Sequence, residues 1–192
     1  MTPLVKVRAG TVDEICANFY LPKEARRELR RGMNPREFLN TLLANHEYVA
    51  GIDFVAHALP ARETIWWGCL CLQYAFGEKL SDKDRAACRA AVQWIRQPDE
   101  DHRKAAKMPA DIAGPQSVAG KLATAVVLTG GSQAPPNLPV KPPSPYAPSK
   151  AVASSVKLAS LQGDNAKLSF RQQSFVELGI GVAEGRFFFR EN

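Results

Sequence analysis

The 192-residue chain is 45% hydrophobic and 23% charged, an ordinary globular composition that excludes a fully disordered chain, a fibre and a coiled-coil rod. Its net charge of +6 is spread along the chain, whereas a nucleic-acid surface needs clustered cations, so nucleic acid is an unfavoured partner. No apolar run approaches the roughly 18 residues of a membrane span. The first residues lack the layout of a signal peptide, so we expect a cytoplasmic protein.

Signals for helix starts follow each other closely from residue 11 onward. Residues 11–14, Thr-Val-Asp-Glu, and residues 34–37, Asn-Pro-Arg-Glu, have the form of a capping box. Pro60 and Pro115 suit the first position of a helix. Between residues 11 and 129 no segment alternates convincingly with period two. We therefore predict an all-α protein of about eight to ten short helices, in antiparallel hairpins because the connections are short.

The composition changes after Gly130-Gly131, where the chain becomes rich in proline. Five prolines recur at intervals of three: Pro136, Pro139, Pro142, Pro145 and Pro148. A polyproline II helix has three residues per turn, so this spacing predicts an extended strap. We expect Leu138, Val140 and Tyr146 to pin the strap to the protein's own surface. The alternative is an exposed ligand for an aromatic groove of another protein.

This change of composition divides the chain into three parts. We predict an N-terminal helical domain at residues 1–132, a proline-rich strap at residues 133–148, and a C-terminal helical segment at residues 149–192 that packs on the same body. The two ends, residues 3–8 and 186–190, have the best β character because they are rich in Val and Phe. Termini often lie close together, so the ends could pair as a short β ribbon. The alternative is that the tail docks onto a partner.

The four cysteines are Cys16, Cys69, Cys71 and Cys88. On a helix, Cys69 and Cys71 point about 200° apart, so they cannot share one metal ion. A zinc site needs a second closely spaced pair, and the sequence has none. We therefore predict reduced structural thiols, with no metal and no other cofactor.

Acid–base chemistry has one candidate group, His46, Asp53 and His57, which the spacing places on one helix face. His46 and Asp53 are two turns apart, roughly 10.5 Å, and too distant to share an ion. Asp53 and His57 can touch, and we interpret them as a hydrogen bond that fixes packing. We predict no catalytic residue and no enzyme. The alternative is an enzyme of unrecognised class that uses Asp53, His57 and Glu63.

Large aromatic and apolar side chains point instead to protein binding. Trp66 and Trp67 are adjacent, so a helix directs them about 100° apart, one into the core and the other towards a boundary. Three solvated phenylalanines at a chain end would invite aggregation, so the tail should have a role. We predict an interaction surface from these residues: Trp66, Trp67, Leu138, Tyr146, Phe187, Phe188 and Phe189.

One cluster of cations remains: Lys23, Arg26, Arg27, Arg30 and Arg31. Glu24 and Glu28 are interleaved with it, at the i,i+3 spacing of pairs on a helix. We interpret the cluster as a solvated helix face. An acidic protein partner is the second interpretation, and weak RNA binding is the third.

Residues 57–71, His-Ala-Leu-Pro-Ala-Arg-Glu-Thr-Ile-Trp-Trp-Gly-Cys-Leu-Cys, resemble part of an uncharacterised bacterial family of about this length. Residues 90–94 and the stretch from Leu128 through Gly-Gly-Ser to the prolines share the resemblance. The family is a domain of unknown function, so no catalytic residue carries over. Its members are similar to proteins encoded near type VI secretion effector genes. The resemblance therefore implies a cytoplasmic adaptor or chaperone whose partner is a secreted effector or its loading machinery.

Overall fold

The computed structural model describes residues 2–8, 11–30, 32–135 and 137–189. Within these ranges the regular structure is helical, which confirms the all-α class. The helices are α1 (Val12–Cys16), α2 (Lys23–Arg27), α3 (Pro35–Ala44), α4 (Tyr48–Ala58), α5 (Ala61–Phe76), α6 (Asp82–Arg96), α7 (Glu100–Ala105), α8 (Lys107–Ala113), α9 (Val118–Val127), α10 (Ala147–Ser160) and α11 (Leu168–Ala183). Short 3₁₀ turns cover Gly77–Lys79 and Asn165–Lys167.

Local capping explains where several of these helices begin. Thr11 and Glu14 form the complete capping box that the sequence predicted for α1. Asn34 caps α3 by accepting a hydrogen bond from the Glu37 backbone N–H at 2.9 Å. Ser117 caps α9 in the same way, at 3.0 Å from the Gly120 nitrogen. At these three helix starts a side chain therefore satisfies a backbone donor that no helical carbonyl can reach.

The core is built around α4 and α5. Helix α4 packs against α3, α10 and α11, and α5 packs against α6, α9, α10 and α11. The largest fully buried side chains include Trp67, Phe38, Phe54 and Phe175. Because α10 and α11 lie against α4 and α5, the C-terminal helices share this core with the N-terminal ones. In the part of the chain that the structure describes, no helix combines the length and apolar character needed to cross a bilayer.

Gly179 allows α11 to approach α4 and α5 closely. A β-carbon at this position would lie 2.4 Å from Val55 Cγ1, too close for any ordinary contact, and a tight 3.1 Å from Trp67 Nε1. The indole N–H of Trp67 donates to the Phe175 carbonyl of α11 at 2.9 Å. The small residue and the hydrogen bond therefore fix α11 on the core together.

The predicted β ribbon between the ends is wrong, because no strand forms among the described residues. The backbone N–H of Lys6 donates to the carbonyl of Ala183, the last residue of α11, at 2.9 Å. The N–H of Arg8 donates to Ala58, the last residue of α4, at 2.8 Å. Terminal helical carbonyls lack partners within their own helix. The N-terminal segment satisfies two of them instead of pairing with the tail, and position 190 lies outside the described residues.

The predicted extended strap is also wrong over residues 133–141. The backbone N–H of Gln133 donates to the Lys141 carbonyl at 2.8 Å, so the segment closes into a loop. A turn with Leu138 N–H donating to the Pro135 carbonyl at 3.0 Å reverses the chain. Leu138 and Val140 are 55% and 77% exposed, so neither pins the segment to the body. Pro136 lies outside the described residues.

Candidate functional site

The C-terminal tail, residues 186–189, lies against Trp66 of α5. The indole N–H of Trp66 donates to the Phe187 carbonyl at 2.9 Å. Its ring meets the Phe189 ring edge-on, with 5.2 Å between the centroids. The Arg96 guanidinium of α6 lies 5.4 Å from the same Phe189 centroid, in cation–π geometry. Residues from α5 and α6 therefore hold the tail on the helical body.

A tight turn after α11 directs the tail towards Trp66. Gly185 has φ +75°, a conformation that suits glycine because a side chain would clash with its own backbone. The next two backbone N–H groups, of Arg186 and Phe187, both donate to the Gly181 carbonyl, at 2.9 and 3.3 Å. Burial of the Glu184 carboxyl raises its pKa, but hydrogen bonds from Arg186 and Arg36 outweigh burial and lower it overall. The start of the tail is therefore fixed by both its backbone and its charges.

We call Trp66, Phe187, Phe188 and Phe189 the aromatic tail surface. Phe187 and Phe188 remain 39% and 54% exposed, while Phe189 is half-buried. Beneath the tail is a small cavity of about 100 Å³, whose lining includes Glu63. The tail residues thus combine an anchored ring with exposed ones.

The other predicted interaction residues occupy different environments. Trp67 is fully buried and donates its N–H to α11, so it offers no surface to a partner. The prediction that one tryptophan is core and the other is at a boundary is confirmed. Leu138 is exposed on the loop at 133–141. Tyr146 stacks on the His57 ring with 5.9 Å between centroids.

A second site, the α4–α10 cleft, has a volume of about 680 Å³. Its walls come from three segments whose lining residues include Val49, Asp53 and His57 of α4, Lys150, Ala153 and Lys157 of α10, and Phe19 and Tyr20 of the α1–α2 connection. On each helix these positions are three or four residues apart and so share one face. Two of the three residues of the predicted acid–base group line this cleft.

The expected contact between Asp53 and His57 exists, but it involves the backbone of Asp53. His57 Nδ1 lies 2.7 Å from the Asp53 carbonyl oxygen. The Asp53 carboxylate instead accepts hydrogen bonds from Lys157 Nζ, at 2.7 and 3.0 Å. The prediction that His46 shares their helix face is wrong, because His46 precedes α4 and has φ +59°. Its Nδ1 lies 2.6 Å from the Tyr48 hydroxyl.

His57 is buried between two aromatic rings. Only 1% of it is exposed, and the Phe19 centroid lies 4.9 Å from its ring, with Tyr146 also stacked on it. Burial lowers the pKa of His57, so the ring is neutral at physiological pH. Its Nε2 atom is buried without a hydrogen-bond partner among the described residues. This orphaned nitrogen is the least expected polar feature of the cleft.

Glu63 does not join Asp53 and His57. Its carboxylate lies 3.6 Å from Lys6 Nζ and lines the small cavity under the tail. The three residues of the alternative enzyme hypothesis therefore lie in two different cavities. Across the described ranges, no group of three or more His, Cys, Asp or Glu side chains could hold a metal ion.

The four cysteines are free thiols that burial holds in the protonated form. Burial raises the pKa of Cys16 to about 12 and that of Cys88 to about 11. It also raises the pKa of Cys69 and Cys71. Because a thiolate is the reactive form, none of the four is activated as a nucleophile.

The cationic cluster is exposed but only partly helical. Helix α2 ends at Arg27, so Arg30 lies beyond it, and Arg31 lies outside the described residues. Lys23, Arg26, Arg27 and Arg30 are all exposed. The first interpretation, a solvated helix face, therefore applies to Lys23, Arg26 and Arg27 only.

Sequence reasoning missed the lysines that face Asp53 and His57. Lys150 and Lys157 are seven residues apart, which puts them on one side of α10. That spacing was readable in the sequence. Nothing in the sequence indicates that this side of α10 faces α4, because the helices are far apart along the chain.

Comparison with known proteins identifies a family but no characterised relative. The model of a family of unknown function, DUF6931, matches residues 38–183. The match includes Trp66 and the α4 and α10 walls of the cleft, while the tail and the α1–α2 connection lie outside it. No curated protein and no solved structure matches the chain. The chain belongs to the DUF6931 family, whose function is unknown.

Proposed function

We propose that this protein is a non-enzymatic interaction module that binds another protein through its aromatic tail surface. The observation that carries the proposal is the exposure of Phe188, 54%, on a tail that Trp66 and Arg96 hold in place. Aromatic side chains supply much of the binding free energy at protein interfaces. A ring that is already held in position loses less conformational entropy on binding than one on a free tail.

The charges around the tail suggest the chemistry of the partner. The Arg186 guanidinium lies 5.3 Å from the Phe187 centroid, and Arg96 lies over Phe189. Lys6 is 46% exposed beside the same cavity. Lys6 and Arg186 already pair with Glu63 and Glu184, so the surface favours a partner that presents mainly apolar side chains.

Two observations support a non-enzymatic role. The Asp53 carboxylate is paired with Lys157, and Glu63 lies near Lys6 in another cavity. A general acid–base pair needs both groups within reach of one substrate. The separation of these side chains therefore favours binding over catalysis.

The identity of the partner rests on the family resemblance alone. We propose that the protein works in the bacterial cytoplasm as an adaptor or chaperone for a type VI secretion effector or its loading machinery. In this role the protein would cover an apolar segment of its partner until the partner is delivered.

Site-specific photo-crosslinking in the native host tests the proposal. A photo-reactive residue replaces Phe188 in one variant and Phe170 in the control, since Phe170 is also a highly exposed phenylalanine, 63%, but lies near the other end of α11. We expect one dominant protein adduct from position 188 and none from position 170. Equal adducts from both positions, or no protein adduct from position 188, would contradict the proposal. The identity of the adduct tests the link to secretion separately.

A further inference from the structure

We propose that the α4–α10 cleft binds the free C-terminal end of a polypeptide whose last side chain is apolar. The cleft is separate from the cavity beneath the aromatic tail surface, so this inference does not depend on the function proposed above. Three features of the cleft walls carry it: an acceptor without a hydrogen-bond partner and a cation without an ion pair, both judged over the residues that the structure describes, and an exposed apolar rim.

The acceptor is Nε2 of His57. Nδ1 lies 2.7 Å from the Asp53 carbonyl oxygen, and because a carbonyl can only accept, Nδ1 must carry the ring hydrogen. In the neutral ring Nε2 is then an acceptor. It is fully buried and has no partner among the described residues, and His57 lines the cleft, so a ligand N–H reaches it once one of the flanking rings, Phe19 or Tyr146, moves aside. A buried acceptor without a partner is unfavourable, so a ligand N–H that reaches it would be stabilised.

The cation is Lys150, in the first turn of α10. It is exposed, and within the ranges that the structure describes it has no carboxylate within 4.0 Å. Lys157, two turns later on the same face, is already paired with Asp53. These three charged groups leave one net positive charge on the cleft wall. One carboxylate from a ligand would complement it.

The apolar rim consists of Tyr20 and Val49, which are 80% and 42% exposed at the mouth of the cleft. The cleft volume, about 680 Å³, falls within the roughly 300–1,000 Å³ of ligand sites. An apolar side chain of a ligand can pack on this rim while its polar groups reach His57 and Lys150.

The last residue of a polypeptide carries all three matching groups. Its backbone N–H is a donor for His57, its terminal carboxylate suits Lys150, and its side chain can cover Tyr20 and Val49. Capture of a terminal carboxylate is a recurrent mode of peptide recognition. A small N-acylated amino acid has the same groups, and the experiment distinguishes the two sources.

Fluorescence anisotropy with labelled, N-acetylated hexapeptides that end in Ala-Leu tests the proposal on the full chain. One probe has a free carboxylate, a second has a C-terminal amide, and a third has an N-methylated last residue. We expect the free carboxylate to bind with a Kd on the order of 100 μM or tighter, and each altered probe to bind about tenfold more weakly. The amide removes the charge, and the methyl group removes the donor.

Exposed variants keep the test independent of folding. Lys150→Met and Tyr20→Ala should each weaken binding of the free-carboxylate probe about fivefold or more. Lys83 is an exposed lysine on α6, and the Lys83→Met variant should bind this probe as tightly as the parent protein does. Equal binding of the carboxylate and amide probes, or no binding up to about 1 mM, would overturn the proposal. N-acetyl-leucine that competes as well as the hexapeptide would overturn the polypeptide as the occupant.

Discussion

Lys157 of α10 and Asp53 of α4 form an ion pair that bridges the two helices, with Nζ 2.7 and 3.0 Å from the carboxylate oxygens. Their side chains are 38% and 13% exposed, so the carboxylate is the more deeply buried partner. The pair stabilises the contact between a helix in the first third of the chain and one in the last third. Because its carboxylate is paired with Lys157, Asp53 is not the acid–base partner of His57 that its spacing in the sequence allowed.

Removing the lysine should destabilise the protein more than removing both charges. Lys157→Met leaves the Asp53 carboxylate partly buried without its partner, at a cost of about 1–2 kcal/mol in the free energy of unfolding. Asp53→Asn combined with Lys157→Met should recover part of this loss. Urea unfolding of the four proteins in the double-mutant cycle measures the coupling free energy between the two side chains. We expect about 1 kcal/mol because Lys157 is partly solvated. Strict additivity of the two single changes would show that the pair contributes nothing.

The tail should contribute to stability through Phe189 more than through Phe188. Phe189→Ala removes the edge contact with Trp66 and the cation–π contact with Arg96, so we expect a loss of about 1–2 kcal/mol. Phe188→Ala, at a 54% exposed ring, should change stability by less than about 0.5 kcal/mol. Thermal unfolding of both variants provides the comparison. Deletion of residues 186–192 should lower the melting temperature or abolish partner binding, and a truncated protein that keeps both would refute a role for the tail.

His57 should make the protein less stable at mildly acidic pH. Burial lowers its pKa in the folded state below the 6.5 of an exposed histidine, so the unfolded chain binds a proton first. The contribution of neutral His57 to the free energy of unfolding is therefore fully present above about pH 6.5 and is lost as the pH falls towards the folded-state pKa. The Glu100 carboxyl, whose hydrogen bond with Arg103 lowers its pKa to about 2, titrates well below this window.

Urea midpoints at about pH 7.5 and 5.5 measure this dependence. The His57→Gln variant should be less stable than the parent at the higher pH but lose less stability between the two. His46→Gln is the matched control, because His46 lies outside the buried stack, and it should keep the parent's pH dependence. An unchanged dependence in His57→Gln would assign the effect to another group.

The thiols should behave as structural groups. We expect no stoichiometric zinc in the purified protein, since the positions of Cys69 and Cys71 on α5 direct them apart. Cys16 and Cys71 are buried and should react with a thiol reagent only after unfolding. Metal analysis and reagent labelling before and after denaturation check both statements. One bound zinc ion per chain, or rapid labelling of Cys71 in the folded protein, would contradict them.

The sequence by itself determined the class of fold and many helix starts. Thr11 and Glu14 form the capping box that their spacing predicted, whereas Asn34 caps α3 only by accepting from the Glu37 backbone N–H. These features depend on groups three residues apart, so local chemistry is sufficient to specify them. The adjacent positions of Trp66 and Trp67 likewise fixed that the two rings point in different directions.

Only the tertiary structure decided which side chains from distant parts of the chain come into contact. Trp66 contacts Phe187 across 121 positions, and Asp53 contacts Lys157 across 104. The Phe-rich tail has local β propensity, yet it packs on Trp66 and Arg96 of two helices and forms no strand over the described residues. Lys6 takes the free carbonyl of Ala183 instead of pairing with the tail. Such choices depend on which faces the packed helices leave open, and that information is not local in the sequence.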